Sequence, residues 1–109
     1  MAHFQAVTST RADRAVVALT GECDLAGRDR LTAVLRAALD SAELVVVDLA
    51  GLTFIDSSGI HGLVTAHRAA QSSGRRVELV NASGAVAAVL ELTGVDRLLG
   101  SRTEDTAHD

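Results

Sequence analysis

Residues 44–63 read LVVVDLAGLTFIDSSGIHGL, and the way this stretch divides decides the fold. Leu44, Val45, Val46 and Val47 are apolar in succession and β-branched at three of the four positions, which is the pattern of a strand buried on both faces. With Asp48 and Leu49 they predict a strand over 43–49. Beyond Asp56 the period changes. Ile60, Leu63 and Val64 stand at i, i+3 and i+4 with His67 at i+7, which predicts an amphipathic helix over 57–72. Between strand and helix lies Asp56-Ser57-Ser58-Gly59, an acid and two hydroxyls at the point where the helix must begin.

The same alternation extends in both directions. Towards the N-terminus, HFQAVTS and RAVVALT flank the polar turn Thr10-Arg11-Ala12-Asp13 and predict a hairpin whose second strand ends at Gly21. Leu31, Val34, Leu35 and Ala38 then follow helical spacing from about Ala26 to Asp40, with Asp24 placed as an N-cap. Towards the C-terminus, RRVELVN predicts a strand. Val86, Val89 and Leu90 predict a helix from Ser83 to Thr93, stopped by Gly94. Leu98-Leu99 is expected to add a short edge element, and the polar SRTEDTAHD, residues 101–109, to form a disordered tail after a domain spanning 1–100. The fold class is therefore α/β: a small domain whose mixed sheet has an N-terminal hairpin followed by parallel strands and crossover helices. In such a sheet the loops leaving the parallel strands share one edge, where sites tend to form. Here they are Gly21–Asp24, Asp56–Gly59 and Asn81–Gly84.

Composition narrows the function. A chain of 109 residues, 48% hydrophobic, suffices for one core and not two. Its longest apolar run is broken at Asp48, and it opens without a basic-then-apolar leader, so a cytoplasmic protein with no membrane partner is expected. The only thiol is Cys23, which excludes an internal disulfide. A net charge of −4, scattered arginines and Phe4 and Phe54 as the only aromatic residues apart from the histidines argue against a nucleic-acid partner. No two of His3, His61, His67 and His108 are spaced i, i+4, and the chain has no lysine for a phosphate-cradling loop, so neither metal nor cofactor is expected. His67 is expected at the edge of the core with a hydrogen-bond partner.

Capping alone would account for Asp56-Ser57-Ser58-Gly59. A hydrolase is disfavoured, because a nucleophile elbow needs glycine two residues before the serine and Ser58 has Asp56 there while Ser57 has Ile55. His61, three residues after Ser58, has no acid to orient it, so no catalytic residue is assigned. Counting about 100° per residue from Ile60 as the centre of the buried face puts Ser57 about 60° and Ser58 about 160° from that centre. Ser58 is therefore expected to point to solvent and Ser57 to be the more buried. Gly62, one turn on, is expected to leave the approach to Ser58 open.

Taken in order, LTGECDLAGRDRL, VVVDLAGLTFIDSSGIHGLVTAHRAA and VELVNASGAVAAVLELTGVDRLL resemble the STAS domain of bacterial anti-sigma factor antagonists over roughly residues 14–99. The resemblance implies a non-enzymatic protein that binds an anti-sigma factor serine kinase. That kinase phosphorylates the second serine of the motif, Ser58, and a serine phosphatase reverses the modification. It places Asp24 close to the phosphoacceptor, and it implies a partner surface formed by Asp24, Asp56, Ser57, Gly59, His61 and Gly62. His61 stands where the family often has glycine, and Ala82 and Gly84 where it often has prolines. Two other readings are a STAS scaffold subunit of a transporter or stress complex that is not switched, and a small-ligand binder or hydrolase using the same edge.

Overall fold

The computed structural model describes residues 3–103. Five strands form one sheet in the order β1 (Gln5–Thr10), β2 (Arg14–Cys23), β3 (Leu44–Ile55), β4 (Arg76–Val80) and β5 (Ser101–Arg102). β1 and β2 are antiparallel, and the remaining pairs are parallel. Helices α1 (Leu25–Ser41) and α2 (Ser57–Ser72) connect β2 to β3 and β3 to β4, while α3 (Gly84–Thr93) and α4 (Val95–Leu99) separate β4 from β5.

Strand side chains alternate between faces. Ala15, Val17, Leu19, Val45, Val47, Leu49, Val77 and Leu79 point to one side, where they share a continuous core with Leu31 and Leu35 of α1, Leu63 of α2, Leu90 of α3 and Leu99 of α4. Val16, Val46 and Val80, with half-buried Leu44, form a smaller cluster on the opposite face. The unbroken apolar run of β3 thus reflects two clusters, one on each face.

The structure changes several boundaries. β2 does not stop at Gly21 but continues to Cys23 through a register shift at that glycine, whose φ of 85° makes it the residue suited to a bulge. β3 runs six residues past Leu49. Ala50-Gly51 resembles a break, yet Gly51 continues the strand as the register partner of Thr20, whose Cγ2 would lie 2.7 Å from a Cβ at that position. Leu98-Leu99 is the end of α4, and the edge strand is Ser101–Arg102, the first two residues of the segment expected to be a tail. Met1, Ala2 and residues 104–109 lie outside the described residues, and the expectation for that part of the tail lies there with them.

Candidate functional site

The site is built where β2 and β3 end side by side. Cys23 is the register partner of Ile55, so Asp24 and Asp56 leave the sheet at the same level. The Asp56 N–H donates to the Cys23 carbonyl at 3.2 Å, which ties one loop to the other. Each acid then caps a helix. The Asp24 side chain accepts from the Ala26 N–H at 3.0 Å, and Asp56 Oδ1 accepts from the Ser58 and Gly59 N–H groups at 2.9 and 3.3 Å. Two helix N-termini and two carboxylates therefore share one edge. In the third loop, Asn81 turns back towards the sheet, with its Nδ2 donating to Asp48 Oδ1 at 3.1 Å, and Ser83 makes no side-chain cap.

The first turn of α2 lies close over β2 and β3. A Cβ on Gly59 would stand 2.6 Å from Ile55 Cγ1 and 3.0 Å from Cys23 Sγ. One turn on, a Cβ on Gly62 would meet Leu31 Cδ2 of α1 at 3.1 Å. Both glycines are buried, which corrects the expectation that Gly62 leaves an open approach to Ser58: it is where α1 crosses α2.

The relative exposure of the serines is also corrected: Ser57 is exposed and Ser58 is half-buried. The buried residues of α2 are Gly59, Gly62, Leu63, Ala66, His67 and Ala70, and half-buried Ile60 is not at their centre. Measured from the mean direction of those six, Ser57 lies about 150° away and Ser58 about 110°. Counting only the large apolar residues misplaced the centre, because helices in close contact bury small ones. Ser58 shares its side of α2 with Gly62, one turn away, and so leans towards α1. His61 is exposed. Among the described residues no hydrogen bond joins it to Ser58.

Burial, followed by the charges of Asp56 and Asp24, pushes the Cys23 thiol up from its ordinary 9.0 to about 11. Two features of this edge were missed in the sequence. Leu25, directly after Asp24, is 65% exposed, and Phe54, register partner of Glu22, is 42% exposed. With Ile55 facing inward, strand alternation alone would have turned Phe54 outward. Among the described residues no group of three or more His, Cys, Asp or Glu could hold a metal, and no helix is long and apolar enough to cross a membrane. His67 is buried as expected, but the predicted partner is missing: its Nε2 makes no hydrogen bond among the described residues.

A family described as "Mlab, STAS domain" matches residues 6–100. An anti-sigma F factor antagonist from Lysinibacillus sphaericus is 29% identical over 98% of this chain and 92% of its own. The crystal structure of an anti-sigma factor antagonist from Mycobacterium paratuberculosis superposes with a TM-score of 0.84 at 21% identity, covering 94% of this chain and 87% of the other. The Bacillus cell fate determinant SpoIIAA in its phosphorylated form gives 0.69 at 25% identity, covering 96% of each chain. The chain belongs to the STAS domain family.

Proposed function

We propose that this STAS domain is an anti-sigma factor antagonist: unmodified, it binds an anti-sigma factor serine kinase and so frees a sigma factor; phosphorylated on Ser58, it lets the kinase go. A serine phosphatase resets it. The observation that carries this reading is the pairing of two acid-capped helix N-termini on one edge, with Ser58 in the first turn of the second helix and leaning towards the first. The L. sphaericus relative and the phosphorylated SpoIIAA structure support it. The choice of Ser58 over the more exposed Ser57 rests on the family motif and on this lean: a phosphate on Ser58 would lie on the Asp24 side of α2, and one on Ser57 would point away from it.

Electrostatics supplies the switch. A phosphate adds about −1.5 to −2 charges, and at a helix N-terminus it is locally favoured by about 0.3 to 1 kcal/mol. Here the Ser58 and Gly59 N–H groups already serve Asp56, so the new charge sits among carboxylates with its best donors taken. The fold survives, because the modified turn is on the surface. The complex does not, because the added dianion and both acids would have to be desolvated together. A penalty of about 2.8 kcal/mol weakens binding roughly a hundredfold. Asp24, Asp56, Ser57 and His61 supply the polar contact surface and Leu25 and Phe54 its apolar part. Gly59 and Gly62 act from beneath, by holding α2 in place.

Affinity capture from a lysate with unmodified protein, followed by mass spectrometry, tests the reading. An anti-sigma serine kinase is the expected partner. Capture of a transporter subunit instead, with no kinase, would favour the unswitched scaffold.

A further inference from the structure

The two edges of the sheet are unlike. At one, β5 is two residues long, and its Arg102 is ion-paired to Glu78 of β4. Shortness and charge are common protections for an edge, whose unpaired N–H and C=O groups otherwise invite another strand. At the other edge, β1 has neither. It is six residues long, Gln5-Ala6-Val7-Thr8-Ser9-Thr10, with no charged residue and no proline. Its register against β2 runs from Gln5 opposite Thr20 to Thr10 opposite Ala15 without a bulge. Every residue of β1 except Ala6 is exposed, and Val7 is 63% exposed. Among the described residues no strand pairs with its outer edge.

The strand suits a second copy of itself. Val7 is the register partner of Ala18 and so faces the same side of the sheet as Val16, away from the helices. In an antiparallel pair about a twofold axis at Val7, that valine meets Val7 of the second copy, Gln5 meets Ser9 and Ala6 meets Thr8. A β-branched pair then stands at the centre, uncharged side chains flank it, and no like charges oppose each other. Such an interface is isologous and closes as a dimer. On the other face α1 lies chiefly over β2. With strands about 4.8 Å apart, three spacings separate the two β2 strands, so the two α1 helices would stand about 14 Å apart, beyond the roughly 8 to 10 Å of packed helices, and would not collide.

We propose that β1 pairs with β1 of a second copy, antiparallel and centred on Val7, to make one continuous sheet with five strands from each copy. A single strand pair is a small interface, under about 1,200 Å², so the dimer is a weak one. Val7 is level with Ala18, about 20 Å along β2 from Asp24, so the pairing leaves the edge that carries Ser58 open in both copies and does not depend on the switch.

Sedimentation of the full chain over a range of concentrations tests the proposal. A monomer–dimer equilibrium with a Kd of about 100 µM or tighter is expected. Val7→Lys and Val7→Glu each set two like charges opposite one another and should each weaken the dimer by about fivefold or more. The melting temperature should not change, since Val7 is largely exposed. An equimolar mixture of the two variants sets opposite charges across the axis and should associate more tightly than either variant alone. A chain that stays monomeric up to about 1 mM, a dimer indifferent to both substitutions, or a mixture no tighter than its components would each overturn the proposal.

Discussion

Asp24 and Asp56 hold equivalent positions on neighbouring parallel strands, each one residue beyond the paired Cys23 and Ile55 and each capping the helix that follows. One register therefore sets the spacing of two carboxylates and two helix N-termini. Whatever displaces either strand end displaces the whole edge.

The caps have a measurable weight. Asp56→Ala removes the acceptor for two N–H groups and should cost about 1 kcal/mol, within the usual 0.5 to 2; Asp24→Ala removes the acceptor for one and should cost no more. Urea unfolding of both variants checks this. An Asp56 variant as stable as wild type would mean that the cap is not what starts α2.

Gly59→Ala should be the more damaging of two otherwise similar substitutions. The new methyl would press on Ile55 and Cys23, both in the core, and is expected to cost about 1 to 3 kcal/mol as an overpacking change. Gly62→Ala meets only the end of Leu31, at 3.1 Å, and Thr32 Oγ1 at 3.5 Å, and should cost less. Thermal melting of the pair reports the order, and the reverse order would contradict the described packing.

The raised pKa of Cys23 gives stability a particular dependence on alkaline pH. Below pH 9 the thiol is protonated in both the folded and unfolded chains, and its contribution is complete. From pH 9 to about 11 the unfolded chain ionises first, so stability falls, by up to about 2 to 3 kcal/mol once the folded thiol also titrates. The chain has no lysine and no tyrosine, so no other side-chain type ordinarily titrates in this window. Chemical denaturation from pH 8 to 11 should show the decline, and Cys23→Ala should flatten it. A decline unchanged in Cys23→Ala would assign it elsewhere.

The fold was legible because each of its long elements carries an unambiguous period: the run at 44–47, the i, i+3, i+4 set of α2, and the Leu31 and Leu35 stripe of α1. The boundaries were not, because Gly21 and Gly51 look like strand breaks and are instead strand residues closely approached by a neighbour, Gly21 by the His3 backbone and Gly51 by the Thr20 side chain. At the site, the acids and the serines could be read from the sequence, and the direction of the serines could not. That direction depends on Gly59, Gly62, Ala66 and Ala70, small residues whose burial follows from how closely α2 approaches α1 and the sheet. Leu25 and Phe54 carry no motif or period that separates an exposed apolar side chain from a buried one, so their exposure is legible only in the structure.

Charge at residue 58 should decide the affinity for the kinase. Ser58→Ala removes a half-exposed hydroxyl and should leave binding near the wild-type value. Ser58→Asp adds one negative charge beside Asp56 and should weaken binding, less than a phosphate would, with the melting temperature preserved. Calorimetric titration at two salt concentrations measures both. Undiminished binding by the Asp variant, or a large drop in its melting temperature, would rule out an interfacial electrostatic switch.

The central claim is that Ser58, and not its more exposed neighbour, accepts the phosphate. The measurement that tests it most directly is phosphosite mapping by mass spectrometry after incubation of wild type, Ser57→Ala and Ser58→Ala with the captured kinase and ATP. The account predicts a single phosphate on Ser58 in wild type and in Ser57→Ala, and none in Ser58→Ala. A phosphate on Ser57, or continued phosphorylation of Ser58→Ala, would contradict it.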